Sequence, residues 1–148
     1  MASDVHVFDR LLEIALLVQQ DMGRELEPAG LTPARTHLLW EVHHRGPCSQ
    51  RALATALDVS PRNVTGLVDA LEERGFVRRE QHPTDRRVTL VTLTELGART
   101  TAEMATSHRR IAAHLVAGFP ADRLERFCTD LDTVTDRLHE LMDVAAPS

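Results

Sequence analysis

The hydrophobic period of the chain changes from 3.6 residues to 2 after Gly75 and returns to 3.6 after Thr94. Between these points lie two segments rich in strand-forming residues, 76–80 and 88–93, on either side of a turn-forming run at 82–85. This arrangement predicts a β-hairpin inserted between helices. The fold class is therefore expected to be mainly α with a small β-hairpin.

Residues that start and stop helices divide the rest of the chain. Thr32 and Ser60 each precede a proline, and Ser49 precedes a short apolar repeat, so all three are predicted N-caps. Gly75 is a predicted C-terminal stop. Thr94 caps the helix that follows the hairpin. The predicted helices cover 5–26, 33–44, a short segment after Ser49, 61–74, a segment from Thr94 to about 116, and 121 to about 144.

The first and last predicted helices carry broad apolar stripes at three- and four-residue spacing. Such a face needs a cover, and pairing between two copies of the chain provides one. We therefore expect a homodimer. The predicted dimer contacts are Val5, Phe8, Leu124, Phe127, Leu131, Val134, Leu138 and Leu141.

The charge of the chain is unevenly distributed. The net charge is −5, yet residues 45–90 hold eight arginines against six acids, while acids dominate the remainder. A basic middle between acidic ends is expected if only the middle faces phosphate. The chain contains no lysine, so its strongly basic side chains are all arginines, which suit bidentate contacts to phosphate and guanine.

The third and fourth helices, joined by a tight turn, have the pattern of a helix-turn-helix, and the hairpin makes it a winged one. On the fourth helix Arg62 suits guanine or phosphate, Asn63 suits adenine, and Thr65 suits a thymine methyl or phosphate. Gly66 would let the backbone approach DNA, and Ser60 marks a helix end that favours phosphate. The predicted DNA contacts are Ser49, Gln50, Ser60, Arg62, Asn63, Thr65, Gly66, Asp69, Arg79, Asp85, Arg86 and Arg87.

The hairpin tip adds two arginines, Arg86 and Arg87, which suit a narrow minor groove. Asp85 is expected to hold one of these guanidinium groups through a charge-assisted bond. Two alternatives stay open: the fourth-helix residues form a solvated face, and Asp85 forms only a surface ion pair worth about 0–1 kcal/mol. Three acids of this segment, Glu72, Glu73 and Glu80, are expected either to face away from DNA or to pair with arginines nearby. The candidate arginines are Arg74, Arg78 and Arg79.

The run SPRNVTGLVDALEERGFVRREQHPTDRRVTLVTLTELG, residues 60–97, resembles the signature stretch of the MarR family. The resemblance implies a wing containing Asp85 and Arg87, and a dimer built from the first and the last two helices. It divides the chain into an N-terminal dimerisation helix (1–30), a winged helix-turn-helix DNA-binding domain (31–97) and C-terminal dimerisation helices (98–148). It also implies a repressor that binds a pseudo-palindromic operator in double-stranded DNA.

The same resemblance implies that a small ligand, of an aromatic or phenolic kind, releases the protein from DNA. The candidate ligand contacts are Phe8, Leu12, His37, Trp40 and His44. Core packing is the alternative role for Trp40. No cofactor is expected.

Other function classes find less support. His43 and His44 are adjacent and no H-x3-H or C-x2-C spacing occurs, so no metal site is expected, although a zinc sensor built from several helices stays open. A winged helix that binds a protein instead of DNA also stays open. The chain shows no combination of nucleophile and base, phosphate loop or paired carboxylates, so no enzyme is expected.

The two cysteines, Cys48 and Cys128, are expected to be free thiols. Cys128 lies on the last apolar stripe, and Cys48 is expected to be inert, with a lowered pKa as the alternative. The sequence lacks a run of about 18 apolar residues, and Asp9 and Glu13 interrupt the start of the chain. A cytoplasmic protein without membrane contact is expected.

Overall fold

The computed structural model describes residues 3–145, apart from the side chains of 22–25, 27, 144 and 145. The helices are α1 (Asp4–Leu26), α2 (Pro33–Arg45), α3 (Gln50–Leu57), α4 (Pro61–Glu73), α5 (Glu95–Leu115) and α6 (Ala121–Ala145), with a 3-10 turn at Glu27–Ala29. The strands are β1 (Cys48–Ser49), β2 (Val77–Gln81) and β3 (Thr89–Leu93). The predicted fold class, mainly α with a small hairpin, is confirmed.

The predicted helix caps are formed. The hydroxyl oxygen of Ser49 accepts the Ala52 N–H at 3.2 Å, and that of Ser60 accepts the Asn63 N–H at 3.2 Å. Gly75, with φ of 79°, follows α4 in the left-handed region that glycine tolerates at a helix end. These caps satisfy backbone groups that the helix ends leave open, so local sequence sets the limits of α3 and α4.

The sheet has three strands, and the prediction of a two-stranded hairpin was incomplete. β3 lies between β1 and β2 and pairs antiparallel with both. Cys48 pairs with Val91, and Ser49 pairs with Leu90. A strand of two residues is too short to show a hydrophobic period in the sequence. β1 lies between α2 and α3, and the packing of these helices places it beside the edge of β3.

The core of the first part of the chain joins the short helices to the base of the hairpin. Val64, Val68 and Leu71 of α4 are fully buried together with Val91 of β3 and Leu39 of α2. Their spacing of four and three residues puts them on one side of α4. Burying that side fixes which side of α4 faces solvent.

The chain divides into two compact units, residues up to 104 and residues from 105 onward. In the second unit the rings of Phe119 and Phe127 meet edge to face with centroids 6.2 Å apart, and the Arg123 guanidinium lies 4.5 Å from the Phe119 centroid. No helix in the described part of the chain is long and apolar enough to span a membrane.

Candidate nucleic-acid interface

The solvent-facing side of α4 carries the predicted reading residues. Arg62, Asn63, Thr65, Gly66 and Asp69 are all exposed. Within the described part of the chain, no hydrogen bond or ion pair engages the side chain of Arg62 or Asn63, so both are available to an external partner. Ser60, at the start of the same helix, uses its hydroxyl oxygen as the cap acceptor and keeps its hydroxyl hydrogen for a partner.

Gly66 lies in the middle of this exposed face, and a Cβ built on it would meet nothing within 4 Å. Packing inside the chain therefore does not require glycine here. A glycine inside a helix costs about 1 kcal/mol relative to alanine, and nothing within the described fold compensates for this cost.

Two other predicted contacts on this surface bond to each other. The Thr65 hydroxyl donates to the Pro61 carbonyl at 2.9 Å and accepts from the Gln50 amide nitrogen at 3.0 Å. The hydroxyl hydrogen of Thr65 is therefore already used. Gln50, the first residue of α3, in turn accepts from Arg79 Nε at 3.0 Å.

Arg79 of β2 also bonds to two carboxylates of α4. Its Nη2 donates to Asp69 Oδ1 at 2.5 Å, its Nη1 donates to Glu72 Oε2, and its backbone N–H donates to Glu72 Oε1 at 3.0 Å. Burial alone would lower the pKa of the Arg79 guanidinium. Its hydrogen bonds to Asp69 and Glu72, and the negative charges of these carboxylates, raise the pKa by more than burial lowers it, so the net pKa lies above its ordinary value.

The acids of this surface are paired as predicted in two cases. Glu72 pairs with Arg79, and Glu80 accepts from Arg78 Nε at 2.5 Å. These contacts neutralise carboxylates that would otherwise repel a phosphate backbone.

The tip of the hairpin, residues 82–88, is organised by side chains that bond to its own backbone. His82 Nδ1 accepts from the N–H groups of Thr84 and Asp85, each at 3.2 Å. Asp85 Oδ1 accepts the backbone N–H of Arg87 at 3.0 Å. The predicted bond from Asp85 to a guanidinium is wrong, because the carboxylate caps the turn instead.

The guanidinium groups of Arg86 and Arg87 are exposed, and neither makes an ion pair within the described residues. The wing therefore offers two free positive charges beside each other.

Arg51 of α3 was not among the predicted contacts: it is exposed and lines a shallow depression with Ser49 and Arg45. The sequence signal that could have added Arg51 to the candidates is its position two residues after the predicted contact Ser49. Arg45 itself bonds to Glu41 at 2.7 Å.

The candidate ligand contacts lie on α1 and α2. The Trp40 ring lies 4.5 Å from the His44 ring, centroid to centroid, and the indole is partly exposed. His37 lies elsewhere on α2, with Nε2 3.8 Å from Glu41 Oε1, and Phe8 and Leu12 are exposed on α1. Among the described residues, no group of three His, Cys, Asp or Glu side chains is placed to hold a metal ion.

Both cysteines are free thiols within the described chain. Burial raises the pKa of Cys48, Arg45 lowers it less strongly, and Glu41 adds to the increase, so the alternative of a lowered pKa is wrong. The thiolate is the reactive form, so the expectation of an inert Cys48 is the better one.

Comparison with known proteins gives consistent results. Residues 31–89 match the model of the MarR family. The chain is 30% identical to the HTH-type transcriptional regulator YhbI of Bacillus subtilis (strain 168) over 100 residues, 68% of the chain and 65% of YhbI. It is 28% identical to the HTH-type transcriptional repressor MdtR of the same organism, over 68% of the chain and 64% of MdtR. The aligned part of the chain thus spans just under two thirds of the length of these two relatives.

Solved structures share the fold. The crystal structure of MarR superposes with a TM-score of 0.65 at 27% identity, over 90% of this chain and 98% of that one. Streptococcus pneumoniae FabT in complex with DNA gives a TM-score of 0.86 at 18% identity, over 94% and 99%. The order of helices and the three-stranded sheet agree with these structures: the chain has the winged-helix fold, and its residues 31–89 match the MarR family.

Proposed function

We propose that this chain binds double-stranded DNA through α4 and the wing and regulates transcription. The observation that carries the proposal is the coincidence of free side chains on α4, Arg62 and Asn63, with free guanidinium groups at the wing tip. In this proposal α4 enters the major groove, and Arg86 and Arg87 reach the adjacent minor groove. The structure of FabT, a fold neighbour, is a complex with DNA, which supports DNA as the partner.

We also propose that the DNA-bound form is a homodimer. Phe127, Leu131, Val134, Leu138 and Leu141 of α6 follow a spacing that alternates between four and three residues, typical of a helix that pairs with another helix. These side chains are exposed in the single chain, Leu141 to 69%, as are Val5 and Phe8 of α1. Exposed apolar faces of this extent favour a protein partner over solvent.

The dimer is tested by sedimentation of two matched variants. Leu131→Glu puts a charge on the apolar stripe of α6, whereas Thr133→Glu puts the same charge on the other side of the helix. We expect the first variant to be monomeric at micromolar concentration and the second to stay dimeric. A parent chain that sediments as a monomer at all concentrations would contradict the homodimer.

A dimer with twofold symmetry predicts a symmetric target. The two α4 helices would read half-sites about 34–36 Å apart, one turn of B-DNA. Selection of genomic fragments on the immobilised protein, followed by sequencing, is expected to enrich an inverted repeat with this spacing. Asn63→Ala is expected to relax the preference at one base pair of each half-site, and Arg62→Ala to weaken retention. Failure to enrich any common sequence would contradict sequence-specific regulation.

We further propose repression that a small aromatic ligand relieves. The name of the relative MdtR supports a repressor, and the partly exposed indole of Trp40 beside His44 supports an aromatic or phenolic ligand in contact with α2. Trp40 is the sole tryptophan, so titration of its fluorescence with phenols and aromatic carboxylates reports binding directly. A ligand that quenches Trp40 without lowering affinity for the selected operator would contradict the proposed release.

A further inference from the structure

We infer that Arg79 is a positioning residue, which fixes the recognition helix α4 to the wing and to α3 and acts on DNA binding through these contacts, without being a DNA contact itself. The inference rests on the proposed function, because it concerns how the DNA-binding surface is held in shape. It revises the role of four predicted contacts: Gln50, Thr65, Asp69 and Arg79.

The geometry of the Arg79 bonds supports this role. A guanidinium has five N–H donors in a rigid fork, and three of them point to acceptors on two different helices, Gln50 of α3 and Asp69 and Glu72 of α4. The backbone N–H of Arg79 bonds to Glu72 as well. Strand β2 is therefore tied to α4 by both its side chain and its main chain at this residue.

The bonds continue beyond Arg79 to the exposed face of α4. Gln50 accepts from Arg79 with its amide oxygen and donates to the Thr65 hydroxyl with its amide nitrogen. Thr65 lies within the run 62–66 that includes the free side chains of Arg62 and Asn63. A displacement of Arg79 is thus transmitted through two hydrogen bonds to the reading face.

Exposure agrees with a positioning role. The Arg79 side chain is 25% exposed, whereas that of Asp69 is 61% exposed. Without Arg79, the carboxylates of Asp69 and Glu72 would stand unneutralised on the side of α4 that is proposed to face phosphate. Exposed ion pairs add only about 0–1 kcal/mol to stability, so the main consequence of these contacts is geometric and electrostatic.

A charge-preserving substitution separates the two roles of Arg79. A phosphate contact needs mainly the charge, which Arg79→Lys keeps, whereas the positioning role needs the planar fork, which lysine lacks. We expect Arg79→Lys to weaken binding to the selected operator by about threefold and Arg79→Met by about tenfold, because only methionine also leaves Asp69 and Glu72 unneutralised. Parent affinity in Arg79→Lys would overturn the inference.

A double-mutant cycle provides the second readout, and Gln50→Ala suits it because it changes no charge. Alone it is expected to weaken operator binding by about threefold, as removal of one hydrogen bond does. Combined with Arg79→Met it is expected to add no further weakening, because both act through one set of bonds. Independent effects that multiply to about thirtyfold would overturn the inference.

Two controls keep this result separate from the proposed function. Circular dichroism and thermal melting check that each variant is folded. The parent chain is measured on the same duplex. If the parent does not bind DNA, the proposed function fails; if it binds and the variants behave as independent contacts, only the positioning role of Arg79 fails.

Discussion

Gly97 of α5 lies against the Phe76 carbonyl, so closely that a Cβ added to Gly97 would be 2.0 Å from that oxygen. The Thr94 hydroxyl fixes the same junction, because it donates to the Gly75 carbonyl at 2.5 Å and accepts the Gly97 N–H at 3.0 Å. The start of α5 is therefore held against Gly75 and Phe76, which connect the end of α4 to β2.

Gly97→Ala is expected to destabilise the fold, because backbone atoms must move to admit the methyl group. The expected decrease is about 2 kcal/mol in the free energy of unfolding, seen as a fall in Tm of roughly 5 °C. Thermal denaturation followed by circular dichroism measures it. An unchanged Tm would mean that the α5 start and Phe76 are not held together as described.

Gly66→Ala makes the same substitution on the exposed face of α4 and is expected to change the free energy of unfolding in the opposite direction. The new methyl group meets open space and improves helix propensity, so unfolding should require up to about 1 kcal/mol more. If α4 approaches DNA closely at this point, operator affinity should fall although the protein is more stable. A variant that is stabilised and binds operator like the parent would show that Gly66 faces no DNA.

Arg87→Ala is expected to weaken binding to all duplexes with little effect on Tm, because its guanidinium has no partner in the described chain. The slope of log K against log salt should become shallower by about 0.9 for each phosphate that the variant no longer neutralises. Arg78→Ala removes an equal charge from the wing, but Arg78 is paired with Glu80, so its slope should stay near that of the parent. Equal changes of slope in both variants would contradict the distinct role of the wing tip.

Cys48 should be slow to react with alkylating reagents in the folded protein. Burial raises its pKa, so the folded chain holds the thiol proton more tightly than the unfolded chain does. The corresponding stability is present below the pKa of the unfolded thiol, near 8.5, and is lost as pH rises through the folded value. Alkylation rates of Cys128→Ser against pH, folded and in urea, test this, and a folded midpoint at or below the unfolded one would contradict it.

The regular elements and the free side chains could be predicted because they depend on local sequence. Caps such as Ser60, the stop at Gly75 and the change of period place α4 and the hairpin with no knowledge of tertiary contacts. Once Val64, Val68 and Leu71 are buried, the exposure of Arg62 and Asn63 follows from the helical repeat.

The bonds between elements could not be predicted in the same way. Gln50 and Arg79 are 29 residues apart, and only the packing of α3, α4 and β2 brings them together. The edge strand β1 likewise depends on β3, which lies about 40 residues later in the chain. The partner of Asp85 was predicted wrongly because a carboxylate in a tight turn finds a backbone N–H nearer than a flexible guanidinium.

Fluorescence anisotropy of a labelled duplex, titrated with the parent chain over a series of salt concentrations, tests the central claim most directly. DNA binding through the α4 face and the wing predicts that log K falls linearly with log salt, by about 0.9 for each phosphate contacted. It also predicts a shallower line for Arg87→Ala. Association that does not depend on salt, or that is undetectable at low salt, would contradict the account and favour a winged helix that binds protein.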